Sequence, residues 1–167
     1  FLKAKGHEIG KSLLEEELVD SANEILKKAK EKNVELLLPV DIIGAEEFDN
    51  DSPSAVYPAE KIPENIIGLD IGPNSVQLFT DRIKTAKTII WNGPMGAFEM
   101  PNFAGGTNEI ARVLADSECF SIVGGGDSVT AINQAGVSAR IGYISTGGGA
   151  FLELLEGKVL PGIAALD

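Results

Sequence analysis

The residues of this chain best suited to chemistry are glycines, and they stand in three clusters. Asn92-Gly93-Pro94-Met95-Gly96, Gly124-Gly125-Gly126-Asp127-Ser128 and Thr146-Gly147-Gly148-Gly149 each follow a short apolar run: Thr88-Ile89-Ile90-Trp91, Phe120-Ser121-Ile122-Val123, and Ile141 to Ser145. Glycine adopts φ > 0 without a Cβ penalty and lets the backbone come close to a ligand. Where a helix begins directly after such a turn, its free N–H groups and its dipole face an anion. Three turns of this kind at one sheet edge could surround a polyphosphate and a second phosphorylated group. A single Gly-Gly pair reads most simply as a chain reversal. Two Gly-Gly-Gly triplets, each between a strand pattern and a helix pattern, exceed what a turn needs, because glycine is entropically costly.

Two carboxylates stand beside these turns. Asp127 is expected at or near the N-cap of the helix after the second triplet, where it would bond a backbone N–H, an interaction worth about 1 kcal/mol. Ser128 could cap equally well and leave Asp127 to approach a phosphate-bound Mg²⁺, a cation that commonly takes one or two carboxylates beside phosphate oxygens. The residues alone leave the cap and metal readings level. Glu99, just after the first glycine turn, could accept from ribose hydroxyls as the acidic residue of dinucleotide folds does, or be simply solvated. Established phosphate signatures are missing: the sequence holds no Gly-x-x-x-x-Gly-Lys-[Ser/Thr] loop, no Gly-x-Gly-x-x-Gly opening a helix and no protein-kinase set. The sole histidine, His7, lies far in sequence from every glycine turn and reads as an exposed helix-flanking residue, so histidine catalysis has no support.

Composition narrows the class. The 167 residues suit one domain with a substantial core, and no apolar run approaches the length of a membrane span. The formal net charge is −11, from 25 acidic and 14 basic residues, which argues against nucleic acid as a partner. A small phosphorylated ligand remains compatible, since backbone N–H groups, helix N-termini and Mg²⁺ can hold it without a basic surface. The single cysteine, Cys119, excludes an internal disulfide framework and fits a reducing, cytoplasmic compartment; it reads as a buried small residue. The chain opens on Phe1, so a processed or truncated polypeptide is expected.

The elements that must position the turns can be read from periodicity. Ser12 is expected to cap a helix running to about Lys32, with Leu14, Leu18, Ala22, Ile25 and Ala29 on one stripe. Leu36 to Val40, continuing through Ile42 and Ile43, suits a strand buried on both faces of a parallel sheet. Glu46 to Lys61 reads as a surface loop, and the spacing of Asp49, Asp51 and their neighbours does not match an EF-hand. A strand over Ile66 to Ile71, a Gly72-Pro73 turn and a helix from about Ser75 follow. Strands alternating with helices predict an α/β fold, a three-layer Rossmann-like parallel sheet with helices on both faces, incomplete at its N-terminal side. In such a sheet all three glycine turns fall at the carboxyl edge, where ligands bind.

Six blocks resemble phosphoglycerate kinases, in that family's order and over nearly the whole chain. They are Trp91 to Glu99, Gly124 to Ser128, Ser145 to Ala150, Leu152 to Gly162, Gly68 to Pro73, and Leu38 to Asp41. The resemblance implies that residues 1–167 are part of a C-terminal, nucleotide-binding domain. It also implies reversible phosphoryl transfer from 1,3-bisphosphoglycerate to Mg-ADP, giving 3-phosphoglycerate and ATP, by a monomeric two-domain glycolytic enzyme. Carried onto matching positions, Gly68, Leu69 and Pro94 would line the adenine or ribose pocket, Asn92 would join the nucleotide site, and Glu99 would bond the ribose. Asp127 would engage the Mg-nucleotide, directly or through water, and the amides around Gly125, Gly126 and Ser128 would face phosphate. Gly125 and Gly148 would donate N–H groups to the phosphoryl group in flight. Ala97 stands where a valine is commoner in the family, and Phe151 where a serine is. The family's basic glycerate site and phosphate-binding lysines have no counterpart in these residues, so negligible catalysis by the chain alone is expected. Two other readings are a binding-only phosphate module and, well below it, a dinucleotide oxidoreductase.

Overall fold

The computed structural model describes residues 1–145 and 147–165, and the chain divides into two compact units. The first comprises Phe1–Phe79 with Met95–Gly106, the second Thr80–Pro94 with Thr107–Asp167.

In the first unit, β1 (Glu8–Ile9) pairs in parallel with β4 (Lys61–Ile62), and β2 (Asp41–Ala45) lies between β3 (Ser54–Pro58) and β5 (Ile67–Ile71), antiparallel to both. Helix α1 (Val19–Glu31) precedes the sheet, and α2 (Pro73–Ile83) leaves β5 through the Gly72-Pro73 turn. Apolar clusters in the unit include Ile42, Ala59, Ile62 and Ile66, and Ala45, Leu69 and Phe103.

Several details differ from the reading of the sequence. The first helix does not start at Ser12; a 3₁₀ turn at Glu16–Leu18 leads into α1, and the Ser12 hydroxyl accepts the Gly68 N–H at 2.9 Å instead. Of the expected apolar stripe only Ala22 is buried, while Leu18 and Ile25 are exposed. The helix ends where Asn33 turns to φ 53° and the Val34 N–H reaches back to the Ala29 carbonyl, a left-handed close. The strand expected from Leu36 begins only at Asp41, since Pro39 has no N–H for a ladder and biases Leu38 away from helix. That strand is antiparallel because the chain returns directly, with β3 inside the segment read as loop. The remaining loop is an Asx-type turn, in which the Asp51 N–H donates to Asp49 Oδ1. Asn102 fixes it further through two hydrogen bonds to Asn50. No cluster of three acids fit to hold a metal occurs among the described residues.

The second unit is the parallel sheet that carries the glycine turns. β6 (Thr88–Trp91), β7 (Phe120–Gly124) and β8 (Tyr143–Ser145) run in that order, with Trp91 beside Val123 and Gly124 beside Ser145. Helices α3 (Gly105–Asp116), α4 (Gly126–Gln134), α5 (Gly148–Leu155) and α6 (Pro161–Ala164) complete the chain. Alternation along β7 buries Ser121 and Val123 and leaves Phe120 exposed, and the same face shows exposed Ile90 and Tyr143. Cys119 is half-buried, its Sγ 2.9 Å from Ser117 Oγ. His7 is half-buried too and precedes β1, not a helix.

Candidate functional site

In the second unit the carboxyl ends of β6, β7 and β8 fall at one edge, which is where parallel pairing puts the segments that follow them. After β7 the backbone passes through Gly125 at φ 92°, ψ 141°, and α4 starts at Gly126. This conformation is closed to residues with a Cβ, so glycine is required at that position. The first α-helical bond runs from the Val129 N–H to the Gly125 carbonyl at 3.0 Å, and no side chain caps the helix. The N–H groups of Gly126, Asp127 and Ser128 therefore have no acceptor within the helix. A Cβ at Gly126 would meet nothing within 4 Å, and Gly126 and Asp127 are exposed, while Ser128 is buried.

Asp127 does not act as the cap. It stands in the first turn of α4 with an exposed carboxylate that takes no hydrogen bond or ion pair among the described residues. Ser128 does not cap either. It is 1% exposed, and its hydroxyl accepts the Gly93 N–H at 2.6 Å. Gly93 is at φ 131°, and its carbonyl accepts from Trp91 Nε1 at 2.5 Å. Asn92 points toward the second turn, its Oδ1 only 2.8 Å from where a Gly125 Cβ would lie. The structure thus brings Asn92, Gly93, Gly125 and Ser128 together, with half-buried Pro94 next in the chain. Gly148 is the first residue of α5, behind the N-cap Gly147, while Thr146 of the same turn lies outside the described residues. Gly124 is needed for close packing: a Cβ there would stand 2.6 Å from the Phe151 ring.

The other predicted residues lie in the first unit. Gly68 and Leu69, on β5, line an apolar cavity of about 420 Å³ together with Ser12, Leu13, Gly96 and Ala97. Leu69 is also a core residue, and its carbonyl accepts the Ala97 N–H at 2.8 Å, tying β5 to the Gly96-Ala97 backbone. Glu99 does not line the cavity. It is exposed in the turn closed by the Met100 N–H on the Ala97 carbonyl, well past the end of β6. A larger cavity, about 790 Å³, opens beside Glu46, Glu47, Asp49 and Asp51. Four carboxylates repel phosphate, so this cavity is not the place for a nucleotide.

Two buried carboxylates with no role assigned from the sequence support these parts. Asp41 caps α2 from a distance: its carboxylate accepts the Asn74 and Ser75 N–H groups at 3.0 and 2.7 Å and the Ser75 hydroxyl at 2.6 Å. Burial pushes this carboxyl up, but the hydrogen bonds from Ser75 and Asn74 together outweigh it and hold the group below its ordinary value. Asp70 accepts the Ile71 N–H at 2.8 Å and the Gly106 N–H at 2.7 Å. Here burial raises the carboxyl, and the bonds from Gly106 and Ile71 offset only part of the rise. Gly96 and Gly106 both press on Asp70, since a Cβ at either would come within 2.5 Å of Oδ1. The available signal was the Gly72-Pro73 and Gly105-Gly106 pattern, but acceptors 33 to 36 residues away cannot be paired from one sequence.

Comparison with known proteins follows from this geometry. The family model described as phosphoglycerate kinase matches residues 1–158. The phosphoglycerate kinase of Desulfosudis oleivorans is 56% identical over 167 residues, that of Synechococcus sp. 55% over 170, and one from Clostridium botulinum 53% over 167. Each match spans the whole chain but only 42% of the relative's length. Among solved structures, the phosphoglycerate kinase of Coxiella burnetii is similar with a TM-score of 0.92 at 45% identity, covering 95% of this chain and 41% of that one. The enzyme from Pyrococcus horikoshii gives 0.82 at 33%, covering 98% and 41%.

Proposed function

The chain belongs to the phosphoglycerate kinase family, and from that premise we propose that residues 1–167 form part of its C-terminal, nucleotide-binding domain. The reaction it serves is reversible transfer of a phosphoryl group from 1,3-bisphosphoglycerate to Mg-ADP, giving 3-phosphoglycerate and Mg-ATP. The observation that carries this reading is the opening of α4: amides without helical acceptors, two of them on the exposed residues Gly126 and Asp127, and a carboxylate at Asp127 with no partner among the described residues.

Phosphoryl transfer asks little covalent work of a protein and much alignment and charge stabilisation. In this reading the amides around Gly125, Gly126 and Ser128, together with the dipole of α4, face phosphate oxygens. Gly125 and Gly148 give N–H groups to the transferring phosphoryl, whose developing charge fixed donors stabilise with little reorganisation. Asn92 adds a polar side chain beside Gly125. On the family resemblance, Gly68, Leu69 and Pro94 serve the adenine or ribose and Glu99 accepts from the ribose hydroxyls. Asp127 suits the magnesium carried on a nucleotide: one carboxylate is too few to hold the ion alone but is the usual complement to phosphate oxygens. The ion's chemistry when bound is to neutralise phosphate charge. Cytoplasmic location and a monomeric state belong to the same reading, and no helix among the described residues is long and apolar enough to cross a membrane.

Calorimetric titration with Mg-ADP, beside NADH and beside an assay of ATP consumption with 3-phosphoglycerate, tests the reading. Saturable Mg-ADP binding, no NADH binding and negligible turnover by the chain alone are expected. NADH binding in place of Mg-ADP, or no nucleotide binding by a folded chain, would overturn it.

A further inference from the structure

Ser128 is the third residue of α4, a position from which a serine ordinarily faces solvent or its own helix N-terminus. Here it does neither. It is 1% exposed, and its Oγ accepts an N–H from 35 residues earlier in the chain, Gly93, at 2.6 Å. Packing does not hold Gly93: a Cβ there would meet nothing within 4 Å, and φ 131° is a conformation available mainly to glycine. Its two backbone groups hold it instead, the N–H on Ser128 and the carbonyl on the Trp91 indole. Asn92 is the next residue toward β6, and its Oδ1 lies against the Gly125 backbone.

We propose that Ser128 is a positioning residue whose hydroxyl locks the Asn92–Pro94 turn to the first turn of α4, so that the two glycine turns meet a phosphorylated ligand as one preformed surface. The inference rests on the nucleotide reading above for the ligand, and on the hydrogen bonds alone for the lock. Its physical basis is preorganisation. A turn without side packing samples other arrangements when its anchoring bond is lost, and binding must then supply the ordering. Because Trp91 is the only tryptophan and bonds the same glycine, its indole N–H reports the state of the turn.

The test compares the wild-type chain with Ser128→Ala and Ser128→Thr, each first shown to unfold cooperatively. The single indole N–H resonance is recorded without ligand, and Mg-ADP affinity is measured by calorimetry. Ser128→Ala is expected to shift the indole resonance in the free protein, as the Gly93 carbonyl loses its fixed orientation, and to weaken Mg-ADP about tenfold, the order of one hydrogen bond. Ser128→Thr, which keeps the hydroxyl but adds a methyl to a buried site, is expected to lie nearer the wild type than Ser128→Ala in both readouts. An unmoved indole together with wild-type affinity in Ser128→Ala would overturn the inference. Equal losses in the two variants would also overturn it, since volume and not the hydroxyl would then matter. Absence of Mg-ADP binding by the wild type would instead sink the nucleotide reading, while the indole shift would still decide the lock.

Discussion

Replacing Gly125 and Gly126 one at a time by alanine separates a glycine required by backbone conformation from one that is not. Gly125 sits at φ 92°, ψ 141°, so alanine there incurs the cost of a sparsely populated region, about 1–3 kcal/mol. Its Cβ would also stand 2.8 Å from Asn92 Oδ1. Asn92 is exposed and can rotate aside, so the steric part adds only a few tenths of a kcal/mol. Alanine also lowers the entropy of the unfolded chain, which returns about 0.4–1 kcal/mol. The net loss is about 1–2 kcal/mol. At Gly126 φ is ordinary for a helix and a Cβ meets nothing within 4 Å, so alanine is expected to be neutral or stabilising by up to about 1 kcal/mol. The two neighbouring variants should therefore differ by about 2 kcal/mol, or about 1 M in urea midpoint if m is about 2 kcal/mol/M. Urea unfolding followed by Trp91 fluorescence reads this directly, and the Asn92→Ala/Gly125→Ala double variant should recover only the small steric part. Equal midpoints for Gly125→Ala and Gly126→Ala would refute the reasoning and return the triplet to an ordinary turn.

Two further outcomes follow from the buried carboxylates. Ser75→Ala removes the hydroxyl that accepts the Val40 and Asp41 N–H groups and donates to Asp41, so a loss of about 2–3 kcal/mol is expected in urea unfolding. The pH dependence of stability should separate Asp41 from Asp70. Asp41 is held below its ordinary 3.8, so its stabilisation is complete above that value and is lost as pH falls through the lower folded value; Asp41→Asn should flatten the acid limb. Asp70 is raised above 3.8, so between that value and its folded one the folded chain binds more protons than the unfolded chain, and stability declines as pH rises. Asp70→Asn should abolish that decline, and urea midpoints recorded from acid to neutral pH check both.

How much was legible in the sequence depended on how local the cause was. The strands before the glycine turns and the helices after them came through because each is set by neighbours: an apolar run of four or five residues, then glycine, then a 3.6-residue pattern. Ser12, Asp127 and Ser128 show the limit. All three have the side chains of N-caps, yet Ser12 accepts from Gly68, Ser128 accepts from Gly93, and Asp127 is left solvated while Gly125 takes the cap position. Capping propensity is real, but a backbone N–H brought in from 35 or 56 residues away competes for the same hydroxyl, and one sequence gives no sign of it. The run from Leu36 misled for a related reason. Its hydrophobicity suits a buried strand, but Pro39 denies it a ladder and the direction of its neighbour depends on a return the composition disguised as loop. Gly68 and Leu69 were placed by resemblance and not by any local pattern; in the structure they lie on β5 and line an apolar cavity.

The most direct test of the central claim is calorimetric titration of the chain with Mg-ADP, wild type beside Asp127→Asn. Asp127 is exposed and takes no partner among the described residues, so the substitution should leave the unfolding midpoint unchanged within about 0.5 kcal/mol. The account predicts saturable binding by the wild type and at least about tenfold weaker binding by the variant, the order of a lost charged contact. Wild-type affinity in a folded Asp127→Asn chain would contradict it.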